Sequence, residues 1–70
     1  MSTALAAVPT LRVLMLGKNR IRTIQNLEPL TKLDVLDLHS NVINKVENLS
    51  ALSELRVLNL AGNQIKCVEN

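Results

Sequence analysis

The chain has 70 residues, room for one small domain, and a fold of that size hides only about 60% of the surface that its unfolded form exposes. A hydrophobic content of 47%, including 14 leucines, excludes disorder, and the absence of Phe, Tyr and Trp removes the stacking platforms that grip unpaired bases. The formal net charge of +2 bears on solubility and gives no reason to expect a nucleic-acid partner, while one cysteine and one histidine can build neither an internal disulfide nor a four-ligand zinc site, so no cofactor is expected.

In chain order, residues 1–10 read as a partial coil. The uncharged stretch from Met1 to Leu11 lacks a basic start, contains Pro9 and falls far short of the roughly 20 apolar residues that cross a bilayer. No membrane partner is expected, and a lone cysteine without a leader points to a reducing, cytoplasmic compartment. Alignment with the later coils makes Ser2 to Thr10 the helical half of a coil, capped by Ser2 or Thr3.

From Leu11 onward the sequence repeats every 22 residues, giving units 11–32, 33–54 and 55–70. Leu14, Leu36 and Leu58 align, as do Leu16, Leu38 and Leu60, then Asn19, Asn41 and Asn63, then Ile21, Ile43 and Ile65. The alternation in Leu14-Met15-Leu16 is that of a short strand with its leucines inward and Val13 and Met15 outward. Equivalent strands stack in parallel, one per coil, and form a concave face. At the turn that follows, an asparagine offers both a donor and an acceptor to backbone groups that have left the ladder, so Asn19, Asn41 and Asn63 are expected to be structural.

Asn26 and Asn48 precede Leu-x-x-Leu segments and read as N-caps of one helical turn on the convex side, with Pro29 tolerated in the first turn. Asn48-Leu49-Ser50 matches a glycosylation acceptor by coincidence, and Asn70 falls on the cap position of a further helical turn. Neither end shows a terminal coil with a polar outer face. The expectation is a piece of a longer solenoid, or a chain that buries its coil ends in a twofold homodimer; an uncapped piece without independent function is a further reading.

Outward positions fall into columns: Arg12, Asp34, Arg56; Val13, Val35, Val57; Met15, Asp37, Asn59; and Gly17, His39, Ala61. Val13, Met15, Val35, Asp37, His39, Val57 and Asn59 are therefore the candidate protein-binding residues of the concave face. Three strands of ordinary length give a floor on the order of 250 Å², against about 800 Å² per partner in a standard interface. Residues 11–32 carry +4, residues 33–54 carry −3 and residues 55–70 carry +1. Lys18, Arg20 and Arg22 gather near one turn, a candidate anion-binding cluster for an acidic tail or other polyanion. Asp37, His39 and Ser40 are not expected to form a catalytic relay, because alternation points Ser40 away from the other two, and Cys67 is expected to be a surface thiol.

The unit Leu-x-x-Leu-x-Leu-x-x-Asn-x-Ile-x-x-Ile-x-Asn-Leu-x-x-Leu resembles the leucine-rich repeat, in the 22-residue subclass typified by the nuclear regulatory subunit of type 1 protein phosphatase. Within it, the runs Leu11 to Ile21, Leu33 to His39 and Glu54 to Leu60 are similar to the leucine-rich repeat subunits of tubulin polyglutamylase complexes. The resemblance implies an α/β solenoid, with three short parallel strands on the concave face and short helical turns on the convex side. It also implies a non-catalytic scaffold of the cytoplasm, cytoskeleton, cilium or flagellum whose partner is a protein, tubulin or a tubulin-modifying complex among the candidates.

Overall fold

The computed structural model describes residues 7–69. Five short strands follow in order: β1 (Val13–Met15), β2 (Val35–Asp37), β3 (Lys45–Val46), β4 (Val57–Asn59) and β5 (Cys67–Val68). β1, β2 and β4 form a parallel sheet in that order, and β3 and β5 form a second, two-stranded parallel sheet. Every pairing has the register of the sequence repeat. Val13 lies beside Val35 and Val35 beside Val57; Leu14, Leu36 and Leu58 form the next row. On the second sheet Lys45 pairs with Cys67 and Val46 with Val68.

Alternation within each strand sends one leucine inward, and the coil closes over it. Ile24, Leu27, Leu30, Leu33, Leu36, Leu38 and Ile43 are fully buried, with Leu52 nearly so; Leu11, Leu14, Leu16, Leu55, Leu60 and Ile65 pack against them while only partly covered. Position in the stack decides the burial of equivalent residues. Leu36, between two coils, is inaccessible, whereas its counterpart Leu58, on edge strand β4, is 38% exposed.

The expected helical turns of the convex side are not what these segments form. The N–H of Leu30 donates to the carbonyl of Leu27 and that of Leu33 to Leu30; one coil later Leu52 donates to Leu49 and Leu55 to Leu52. These are two consecutive four-residue turns per coil that share a leucine, and among the described residues helix is almost absent. The physical reason is that linked turns bring a leucine inward every third residue, as one helical turn would, without the costly nucleation of a helix too short to propagate. With no helix to cap, Asn26 and Asn48 are not N-caps. Both adopt left-handed backbone, φ 63° and 61°, a conformation that asparagine tolerates better than most residues. The Asn48 amide reaches back to the preceding coil, its Nδ2 donating to the carbonyl of Ile24 at 2.7 Å. That nitrogen is the acceptor atom of the Asn48-Leu49-Ser50 sequon, and here it is already engaged. Of the partial first coil, the proposed caps Ser2 and Thr3 lie outside the described residues, as does Asn70.

A second left-handed position recurs at each turn after the strand: Lys18 at φ 59°, Ser40 at 56° and Gly62 at 72°. Only the third is glycine, so two of the three coils hold a side chain in a conformation that costs roughly 1–2 kcal/mol. The asparagine that follows secures the bend. Asn41 is buried; its Nδ2 donates to the carbonyls of Leu38 at 2.8 Å, His39 at 3.1 Å and, in the preceding coil, Leu16 at 3.1 Å. Its Oδ1 accepts from the N–H of Ile21, again one coil back, at 3.1 Å. Asn63 repeats the arrangement with Leu38, Leu60 and Ile43. Asn19, in the first strand-bearing coil, is exposed and bonds only within its own turn, to Leu16 and Gly17. Replacing Asn41 by alanine leaves the N–H of Ile21 without its acceptor and takes one of two donors from the carbonyls of Leu16, Leu38 and His39, so it should lower unfolding free energy by about 1–3 kcal/mol, whereas Asn19→Ala should cost less than about 1 kcal/mol. Urea denaturation of the two variants side by side checks the difference.

Candidate functional site

The outer face of the β1–β2–β4 sheet is built by the residues that alternation turns away from the leucines. Immediately before the strands stands a charge ladder of Arg12, Asp34 and Arg56. Arg56 grips Asp34 in a two-point fork, Nε to Oδ1 and Nη2 to Oδ2, each 2.9 Å. Arg12 flanks Asp34 from the other side and also favours its ionised form. The hydrogen bond from Arg56 is the main reason that the Asp34 carboxyl titrates below its ordinary value of 3.8. A shallow depression of about 360 Å³ lies beside this row, lined by Arg12, Lys32, Asp34, Ser53, Glu54, Leu55 and Arg56.

The next row is apolar. Val13 is 49% exposed and Val57 51%, with the half-buried Val35 between them in direct register. Met15 continues the patch at 68% exposure. Its neighbours Asp37 and Asn59 are less free than their outward position suggests. Each turns a side-chain oxygen onto the backbone two residues ahead, Asp37 Oδ1 accepting from the N–H of His39 and Asn59 Oδ1 from that of Ala61, both at 3.0 Å. They hold the strand ends into the turn, a task that the alternating pattern alone did not reveal, although the recurrence of a short polar acceptor 22 residues apart was its trace.

His39 lies across Gly17. A β-carbon at Gly17 would sit 2.1 Å from Nε2 of the imidazole, so the ring occupies the space that glycine leaves. Its Nδ1 is 3.1 Å from Oγ of Ser40. The expectation that Ser40 points away from His39 is thus corrected: the left-handed backbone at Ser40 swings its hydroxyl back to the ring. The three side chains still do not make a relay, because Asp37 engages the backbone N–H of His39 and not its ring.

Lys18, Arg20 and Arg22 are all exposed, on the turn and the extended segment that leads away from β1. Lys45, in the corresponding segment of the next coil, is held by Glu69 at 3.1 Å and Glu47 at 4.0 Å, and the hydrogen bond to Glu69 is the main cause that raises its ammonium above the ordinary 10.5. Cys67 is exposed, with its Sγ 4.0 Å from a Glu69 carboxylate oxygen. Among the described residues, no group of three or more His, Cys, Asp or Glu side chains converges to hold a metal ion, and no helix is long and apolar enough to cross a membrane.

The fork between Asp34 and Arg56 ties β4 to β2, and its pH dependence follows from the lowered carboxyl. Folding favours the ionised form, so the stabilisation is fully present above pH 3.8 and is lost as pH falls through and below that value. Thermal melts of the wild type and of Asp34→Asn should differ at neutral pH, with the variant less stable, and should converge as the pH is lowered beneath 3.8. A gap that persists in acid would assign the effect to packing.

The repeated strand, asparagine turn and leucine-filled coil correspond to a known protein family. The leucine rich repeat family model matches residues 9–65, most of the chain. No curated protein matches the chain. Leucine-rich repeats are typically non-enzymatic modules that generally mediate protein–protein interaction. With its register, interior and asparagine turns on that pattern throughout, the chain belongs to the leucine-rich repeat family.

Proposed function

We propose that the chain takes a protein partner on the outer face of the β1–β2–β4 sheet, as part of a microtubule- or cilium-associated complex in the cytoplasm. The observation that carries the first half of this reading is the row of exposed Val13 and Val57 with the half-buried Val35 between them and the exposed Met15 beside it. Apolar side chains in register on a rigid sheet form a patch that gains free energy when a partner removes it from water. The charged row of Arg12, Asp34 and Arg56 borders that patch and gives it a polar rim. Support for the second half is the similarity of the runs from Leu11, Leu33 and Glu54 to the repeat subunits of tubulin-modifying complexes, and tubulin is the partner to try first. Val35 lies at the centre of the patch, so Val35→Glu should weaken co-sedimentation with microtubules by about tenfold or more while leaving the circular dichroism unchanged. A wild-type chain that stays in the supernatant would overturn the microtubule reading.

The same chain is proposed to self-associate through its open coil end. Support comes from β4, an edge strand whose inward leucine, Leu58, is 38% exposed where the equivalent Leu36 is sealed, and from Val57 and Val68 beside it. A twofold dimer across β4 covers such an edge and closes, whereas head-to-tail stacking continues without limit. Sedimentation equilibrium over a range of concentrations should show a monomer–dimer equilibrium that Leu58→Lys shifts to monomer; a strict monomer at the highest concentration refutes the dimer.

A further inference from the structure

After the asparagine turn, each coil runs extended down one side of the stack, and alternate residues of that segment face solvent. The 22-residue register places Lys18, Ser40 and Gly62 in one column, Arg20, Val42 and Gln64 in the next, and Arg22, Asn44 and Lys66 in the third. Coil-to-coil hydrogen bonds confirm this alignment along the wall: the N–H of Val42 donates to Ile21, that of Gln64 to Ile43 and that of Lys66 to Asn44. The wall thus carries four cations and no acidic residue.

Elsewhere among the described residues, half of the acidic side chains are held in ion pairs. The ion pairs join Asp34 to Arg56, and Glu47 and Glu69 to Lys45; none reaches Lys18, Arg20, Arg22 or Lys66. Asp37 is turned toward the backbone of His39. The small net charge therefore conceals a segregation, with Asp34, Asp37, Glu47 and Glu69 engaged in contacts off this wall and its four cations outside every ion pair.

The wall also has shape. A shallow depression of about 350 Å³ is lined by Arg22, Val42, Asn44 and Gln64. Val42, 37% exposed, supplies an apolar contact at its floor, and the two carboxamides each offer a donor and an acceptor, the complement of a peptide group. Arginine forks at Arg20 and Arg22 match carboxylates in two-point geometry. We infer that this wall binds an extended, acidic polypeptide segment of a partner protein, its carboxylates on Arg20 and Arg22 and its backbone over Val42, Asn44 and Gln64. A nucleic acid fits less well, since the chain has no aromatic side chain on which a base could stack and an amide-and-valine floor has no use for a sugar–phosphate strand. The wall and the valine row occupy different columns, so this site stands or falls separately from the sheet-face reading.

The test uses a short fluorescent polyglutamate peptide and an oligothymidylate of equal charge, titrated with the chain at low salt. The expected result is saturable binding of the peptide that weakens as salt rises, with amide shifts in Val42, Asn44 and Gln64 by NMR. Arg20→Gln and Arg22→Gln should each weaken binding by about two- to fivefold, the range for one exposed ion pair, and together by about tenfold. Arg12→Gln, which removes the same charge from another column, should change it less than twofold, and Val35→Glu should leave the shifts on the wall in place. Equal loss with Arg12→Gln would reduce the effect to net charge and overturn the site. Tighter binding of the oligothymidylate, or shifts confined to Val13, Val35 and Val57, would overturn it as well.

Discussion

A chain that bends sharply beside an apolar interior leaves backbone carbonyls and amides facing no strand and no water, and each such group costs free energy comparable to a lost hydrogen bond. Asn41 and Asn63 meet that constraint. One side-chain amide collects the carbonyls of its own turn and of the coil before, while its oxygen takes the next free N–H of that earlier coil. Because half of these bonds cross between coils, the asparagine is a fastener as well as a turn residue. It fixes the vertical phase of the stack, and that phase sets the valine row, the charge ladder and the basic wall.

Strand positions and register were legible in the sequence because a two-residue alternation and a 22-residue echo each admit one physical solution. The convex side was not, since spacing leucines at Leu27, Leu30 and Leu33 satisfies a helical turn and a pair of linked turns equally well. Asparagine at 26 and 48 was ambiguous for a related reason: the residue type that caps helices also tolerates left-handed backbone. The second sheet escaped notice because its strands are two residues long and one of them begins with Lys45, which no strand pattern would single out. Of the candidate binding residues, Val13, Met15 and Val57 stand exposed, while Asp37, Asn59 and His39 turn out to be engaged with their own coil or the one before. Alternation tells which face a side chain starts from, and cannot tell whether its tip then folds back on the backbone.

Charge shows the same division between what composition reports and what geometry arranges. A net of +2 is unremarkable, yet the cations and anions are distributed so that acidic groups serve internal contacts at Asp34, Glu47 and Glu69. Lys18, Arg20, Arg22 and Lys66 share a wall with carboxamides and a valine. Two surfaces of different character, one apolar and one basic, are thereby carried by a single stack.

The strict alignment of Val13 with Val35 and Val57 has a consequence for how such a molecule can change length. Inserting a single residue into a strand would turn its buried leucines to solvent and its valines to the interior, since side chains reverse face at every step. Slippage elsewhere in a coil would carry the asparagine past the carbonyls that it serves. Growth is therefore quantised: a gene encoding this architecture lengthens or shortens safely by whole turns of the spiral, and intermediate lengths are filtered out by the chain's own failure to close.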